Sequence, residues 1–153
     1  MKEIRDKLCE LATAYEEQLK LYEQIRAVGA GEQELIGEGQ LDGLLKVLKE
    51  KEDLLTQAGG YEQRIKTVQD QLARHFDLDA FSLPQLKLVA PSYYREELYE
   101  LEEAIANLLP VLEALEAQER RNEEALNKYL DATQVPKVKT AQVKRAGQAY
   151  GKK

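Results

Sequence analysis

The stretch "ELIGEGQLDGLLKVLKEKEDLL", residues 34–55, decides how this chain folds. It places Gly37, Gly39 and Gly43 in a sequence that otherwise has the apolar spacing of a helix. Each glycine costs about 1 kcal/mol in a helix interior, so the three together indicate a break. Leucines then recur every three or four residues, which predicts a new helix that begins at residue 40 or 41. The stretch therefore predicts a hairpin between two long helices, with the reversal at Gly37–Gly39.

Two helical stripes flank this reversal. Apolar side chains spaced by threes and fours predict a first helix over residues 3–28, which we expect to continue weakly to about Ile36. The stripe of the second helix runs on to Phe76, and Gly59-Gly60 is a soft spot or kink within it rather than a certain end. A short connecting helix should follow, because Ser82 can cap its first turn and Pro84 fits there.

The third long helix begins near Tyr94 and repeats apolar residues with heptad spacing. Pro110 lies inside it and removes one backbone hydrogen bond, so a bend is expected over residues 106–110. Glu119 and Asn122 interrupt its apolar seam. The fold class is therefore all-α: an elongated antiparallel bundle of three long helices over residues 1–131, with an adaptable basic tail over residues 132–153.

The distribution of charged residues also changes after residue 131. All 28 acidic residues lie at or before Asp131, against 16 Lys and Arg, so this part carries −12. The last 22 residues hold six bases and no acid. Such a tail can contact nucleic acid, a membrane surface, an acidic partner or its own acidic body. Nucleic acid is disfavoured, although Tyr150 could stack on a base, because the acidic body would repel phosphates.

The composition argues against a membrane span and against catalysis. The longest apolar run is far shorter than the roughly 20 residues of a transmembrane helix, so we expect a soluble protein without membrane insertion. No signal-peptide apolar region is present, and Cys9, the single cysteine, fits a reducing cytoplasm. His75 is the only histidine, and no catalytic or metal-ligating constellation surrounds it. We predict no enzyme activity, no cofactor and no metal.

Recognition through helices is the better-supported class of function. Beyond Pro110, apolar side chains extend past what the neighbouring helices are expected to cover, and such a groove suits the amphipathic helix of another protein. Five residues form this group: Leu112, Leu115, Leu126, Tyr129 and Leu130. The alternative is that they fill the bundle's own core.

Several soft patterns also follow one another in a fixed order over roughly Leu8 to Gly151. They are "LATAYEEQLKLYEQI", the residue 34–55 stretch, Glu62-Gln63-Arg64, "FSLPQLKLVAP", "RRNEEALNKYL" and the terminal "AYG". In this order they resemble the FlgN family of flagellar export chaperones. The glycine-rich segment 29–43 and Pro110 depart from the usual family pattern.

The resemblance implies a small cytoplasmic, non-enzymatic helical protein. Such a protein would hold the C-terminal amphipathic segment of hook-filament junction proteins, of the FlgK and FlgL type. It would deliver them to the type III export gate, of the FlhA type. By position, the five anchors above would bind the partner, Val135 and Val138 would continue them, and Tyr150 would contact the gate. The runner-up function is a self-associating helical scaffold, and the oligomeric state, including a homodimer, stays open.

Overall fold

The computed structural model describes residues 2–133, and within them the chain is helical with no strand. The helices are α1 (Lys2–Gly29), α2 (Glu32–Gly37), α3 (Leu41–His75), α4 (Leu83–Val89) and α5 (Arg95–Thr133), with a 3-10 turn at Ser92–Tyr94. The predicted all-α helical bundle is confirmed. The predicted tail anchors Val135, Val138 and Tyr150 lie outside the described residues.

The first helix ends earlier than expected. The sequence predicted a weak continuation to Ile36, but α1 stops at Gly29 and α2 is a separate helix of six residues. The reversal after α2 is confirmed. Gly39 has φ +70° and donates its N–H to Ile36 O, while Gln40 N–H bonds Leu35 O at 2.9 Å. This is a Schellman motif, which needs a residue in the left-handed region, and glycine adopts it without strain.

The other predicted boundaries agree with the structure. Helix α3 begins at Leu41 and continues through Gly59 and Gly60 to His75. At the start of α4, Ser82 Oγ accepts a hydrogen bond from Gln85 N–H at 3.4 Å, as an N-cap should. Helix α5 continues through Pro110; the bend expected there stays a prediction.

The chain divides into two compact units. Unit 1 comprises Met1–Lys20 with Ala58–Pro110, and unit 2 comprises Leu21–Gln57 with Val111–Lys153. Each long helix contributes one part to each unit.

Unit 1 has a largely apolar core, with Gln18 as a buried polar residue that bonds the Ala58 carbonyl oxygen. Its buried side chains come from α1, α3, α4 and α5, and they include Leu8, Leu11, Leu72, Leu86 and Leu101, each fully buried. Fully burying one such side chain stabilises the fold by about 1.5–3 kcal/mol. The start of α1 lies antiparallel to the end of α3, as side-chain bonds between residues 7 and 71 and between residues 15 and 69 show.

Unit 2 combines an apolar part with a buried polar part. Its apolar part, called the leucine cluster below, takes one residue from α2 and two each from α3 and α5: Ile36, Leu44, Leu48, Leu126 and Leu130. Its polar part, called the Lys51 cluster, consists of Glu32, Lys51, Glu119 and Asn122, all buried. The candidate functional site lies in this unit.

Candidate functional site

Unit 2 contains all five predicted anchors that fall within residues 2–133. Leu115, Leu126 and Leu130 are buried, and Leu112 and Tyr129 are half-buried. Leu126 and Leu130 belong to the leucine cluster, and Tyr129 packs against it. The structure therefore brings three of the five together, while Leu112 and Leu115 lie on earlier turns of α5. Packing within their own unit was the second of the two interpretations that the sequence left open.

The leucine cluster packs one short helix against two long ones. Helix α3 contributes Leu44 and Leu48, and α5 contributes Leu126 and Leu130; these four side chains are called the groove below. Ile36 of α2 completes the cluster and is 5% exposed. Half-buried apolar side chains surround it: Leu35, Leu41, Leu45, Ala125 and Tyr129. A single short helix thus packs against apolar side chains from two long ones.

Helix α2 has few restraints of its own. Gly31 precedes it without a side-chain cap bond, and isolated helices of this length are unstable in water. Its place is therefore fixed by contacts with α3 and α5. One of these depends on Gly43: a Cβ built there would lie 3.3 Å from Leu35 Cδ2. The absence of a side chain at Gly43 lets α2 approach α3 closely.

The Lys51 cluster joins α2, α3 and α5 through charged hydrogen bonds. Lys51, 1% exposed, donates through Nζ to Glu32 Oε2 at 2.5 Å and to Glu119 Oε2 at 2.8 Å. Asn122 Nδ2 donates to Glu32 Oε2 at 2.5 Å and to the Gly29 carbonyl oxygen at 3.2 Å. Glu32 therefore accepts from both long helices, which makes it the polar anchor of α2.

The charges in this cluster do not balance when both carboxylates are ionised. The pKa of Glu119 is raised to about 7, chiefly by burial and to a smaller extent by the neighbouring carboxylates of Glu32 and Glu123. The Lys51 ammonium acts in the opposite direction but does not offset the loss of hydration. One ammonium shared by two buried carboxylates leaves a net negative charge, which costs free energy in a low-dielectric site. The cluster is therefore sensitive to pH near neutrality.

A neighbouring glutamine extends the polar region. Gln118 Nε2 donates to the Arg26 carbonyl oxygen at 3.0 Å, near the end of α1. Its buried Oε1 has no hydrogen-bond partner among the described residues. Leaving a buried acceptor unpaired costs about 1–3 kcal/mol. The segment from α1 into α2 is thus tied to α5 by polar contacts, and one of these side chains is only partly satisfied.

Sequence reasoning missed Lys51 and Glu32. The "KEKED" run that contains Lys51 has the composition of a solvated polar face, but Lys51 itself is 1% exposed. A usable pattern existed: Leu48, Lys51 and Leu55 are spaced by three and four, so Lys51 occupies a seam position. The same logic correctly singled out Glu119 and Asn122 in the third long helix. Glu32 had no comparable pattern, because it lies on a helix too short to show periodicity.

Unit 1 offers a second candidate surface. Five large apolar side chains of the described residues are exposed. Four of them lie in α4, in the 3-10 turn and near the start of α5: Leu88 (85%), Val89, Tyr93 and Tyr99. A groove of about 360 Å³ beside them is lined by residues that include Lys87, Arg95 and Tyr99. Lys87 Nζ is paired with Glu102 at 2.6 Å. This surface is apolar in part but has no buried polar anchor comparable to Lys51.

Other expectations concern chemistry and membranes. Within residues 2–133, no group of three or more His, Cys, Asp and Glu side chains could hold a metal ion. No helix of the described part is long and apolar enough to cross a bilayer. Cys9, the single cysteine, is exposed.

Comparison with known proteins agrees with the helical architecture and with the predicted resemblance. The family model for FlgN protein matches residues 1–153, the whole chain. No curated protein and no solved structure matches it significantly. Since the family match has no gap at either end, it includes both units and the two clusters described above. The chain therefore belongs to the FlgN family, the flagellar export chaperones.

Proposed function

We propose that this protein is a cytoplasmic export chaperone that binds the C-terminal amphipathic segment of hook-filament junction proteins, of the FlgK and FlgL type. Binding would prevent premature self-association of these clients. The chaperone would then deliver them to the type III export gate, of the FlhA type. It acts as a binding protein, with no catalytic step.

The observation that carries this proposal is the family match over the whole chain. The packing of helices in unit 2 also supports the proposal. An apolar groove between two helices is a common receptor for an amphipathic helix, and α3 and α5 form one that a six-residue helix covers. The proposed client site comprises this groove and its continuation along the chain: Leu112, Leu115, Leu126, Tyr129, Leu130, Val135 and Val138. Tyr150 is proposed to contact the gate.

The test is a pull-down from the source organism's lysate, with recovered proteins identified by mass spectrometry. It compares the full chain, a chain ending at Asp131, and two leucine variants. Leu126→Ala and Leu108→Ala form a matched pair, because both side chains lie on α5 and are 7% and 6% exposed. Each truncation should cost about 2–5 kcal/mol of stability. We expect only Leu126→Ala and the truncated chain to retain less of the junction proteins.

Two outcomes would contradict the proposal. If the full chain retains no hook-filament junction protein, the client assignment is wrong. If Leu126→Ala and Leu108→Ala reduce retention equally while circular dichroism shows equal loss of helix, retention depends on general stability and the proposed site is wrong. Tyr129→Ala provides a milder check, because this side chain is half-buried and its removal should leave helical content nearly unchanged.

A self-associating scaffold is the second candidate. The exposed apolar side chains around α4 favour it, since contiguous apolar patches often mark interfaces. Sedimentation measurements over a range of concentrations separate the two functions. A scaffold forms a stable oligomer alone, and Leu88→Ser should dissociate it, whereas a chaperone needs its client to form a larger complex.

A further inference from the structure

The groove in unit 2 is already occupied by part of the same chain. Ile36 packs in one cluster with Leu44 and Leu48 of α3 and with Leu126 and Leu130 of α5, and all five side chains are at most 7% exposed. Four of these five belong to the long helices, so removing α2 would leave an apolar groove of their side chains. What binds there must be apolar on the side that faces it.

The groove also has a polar end with two hydrogen-bond donors. Lys51 Nζ and Asn122 Nδ2 both donate to Glu32 Oε2. These donors lie on α3 and α5, so they stay behind when α2 leaves. Lys51 Nζ stays paired with Glu119 of α5, and together with Asn122 Nδ2 it can donate to a carboxylate that takes the place of Glu32, as both groups do to Glu32 itself. In α2 the carboxylate precedes its apolar anchors Leu35 and Ile36 by three and four residues, on one face of the helix.

The segment that carries α2 can move without breaking a long helix. It is bordered by Gly31 before and by Gly37 and Gly39 after, and its own backbone bonds span only one or two turns. Local opening of this kind costs least where few buried contacts hold an element. In α2 only Glu32 and Ile36 are buried.

We propose that α2 occupies the site where the partner binds. The partner displaces α2 and inserts an amphipathic helix with an acidic residue three to four positions before its apolar anchors. This inference rests on the proposed function. It adds the location of the binding site, the residue pattern of the client helix, and the segment of this chain, α2, that competes with the client. The client must compete with α2, so its apparent affinity depends on how often α2 is open.

The test uses glycine substitutions that stiffen the borders of α2. Gly31 and Gly37 have open space where a Cβ would lie, and neither has a positive φ. Alanine at both positions should favour the closed state by restricting the open one. The matched control is Gly59→Ala with Gly60→Ala, because these two also have open space around them and lie within α3, away from the groove. Both double variants should raise the melting temperature.

The probe is a fluorescein-labelled synthetic peptide of the C-terminal segment of the junction protein recovered in the pull-down. By fluorescence anisotropy, Gly31→Ala/Gly37→Ala should bind it roughly five- to twentyfold more weakly than the unmodified chain. Gly59→Ala/Gly60→Ala should bind it unchanged. Ile36→Ala should bind it several-fold more tightly although it lowers the melting temperature, because the client no longer competes with that side chain.

Ile36→Ala should raise the affinity for the peptide while it lowers the melting temperature, and Gly31→Ala/Gly37→Ala should do the reverse. These opposite effects distinguish displacement of α2 from a general change in stability. A peptide in which Gln and Asn replace Glu and Asp should bind at least about tenfold more weakly, as lost charged hydrogen bonds predict. Equal binding of the peptide by all the protein variants would overturn the inference and leave the proposed function intact. Tighter binding by Gly31→Ala/Gly37→Ala, or a client segment without acidic residues, would also overturn it. If neither the unmodified chain nor any variant binds the peptide, both the inference and the proposed function are wrong.

Discussion

The two units of this protein are formed from the same three long helices but have different interiors. In unit 1 the largest fully buried side chains are leucines, and its two buried polar residues in the described part are Gln18 and Glu97, the latter paired with Arg5, which is 44% exposed. In unit 2 a lysine that is 1% exposed meets two carboxylates. The difference shows that a continuous helix can carry an apolar seam in one part and a charged seam in the next.

The interiors also differ in what they can tolerate. An apolar core loses stability gradually as side chains are trimmed, whereas a buried ionic cluster depends on every partner being present. Unit 2 therefore combines strong local contacts with a sensitive point. This combination suits a region that must hold a segment and also release it.

The strongest test of this difference is Lys51→Met. The substitution keeps an apolar side chain of similar length but leaves the carboxylates of Glu32 and Glu119 buried without their cation. We expect a loss of about 3–5 kcal/mol in the free energy of unfolding, measured by urea denaturation followed by circular dichroism. Hydrogen exchange should show the loss of protection in unit 2.

Lys49→Met is the matched control, since Lys49 lies two residues away on the same helix. Its side chain is 71% exposed and pairs with Asp53 at 3.5 Å. An exposed pair of this kind contributes little, so the change should stay within about 0.5 kcal/mol. Equal effects of the two methionine variants would show that the Lys51 cluster does not distinguish unit 2.

A smaller effect is expected from glycines that have opposite roles in the two units. Gly39→Ala in unit 2 forces an alanine to φ +70°, which should destabilise the protein by about 1–2 kcal/mol. Gly59→Ala in unit 1 lies in a regular helix with open space around it and should stabilise by about 0.5–1 kcal/mol. Thermal unfolding of both variants measures the difference. If both stabilise, Gly39 is not needed for the turn after α2.

Much of this architecture was predictable from leucine spacing. The reversal at Gly37–Gly39, the start of α3 and the cap at Ser82 follow from local rules, because glycine and serine act within a few residues of their own position. The end of α1 was not predictable in the same way. Residues 32–36 have helical composition, and the break before them is a short turn at residues 30 and 31, where Gly29 and Gly31 weaken the helix without fixing where it ends.

The candidate site was predicted in part. The seam position of Asn122 and the apolar character of Leu126 were visible in the sequence, and both belong to unit 2. Lys51 was not predicted, because a run of alternating charges usually faces solvent and this composition hides its seam spacing. Glu32 could not be found, since its role depends on three helices meeting at one point.

The smallest expected effect is on the pH dependence of the free energy of unfolding, and it arises from Glu119 in unit 2. The folded pKa of Glu119 is about 7, against 4.5 for an unperturbed glutamate. Between these values the folded state retains a proton that the unfolded state has released, so this group's contribution to stability falls as pH rises. Between pH 6 and pH 8 the fall should be about 1 kcal/mol.

Glu119→Gln removes this titration while keeping an oxygen that can accept from Lys51. The stability of the variant relative to the unmodified chain should therefore rise by about 1 kcal/mol from pH 6 to pH 8 in urea denaturation. Glu116→Gln, on the exposed face of the same helix, should show no such change. A pH-independent difference for Glu119→Gln would mean that Glu119 stays ionised throughout, and the Lys51 cluster would then act as a permanent tie rather than one that weakens near neutral pH.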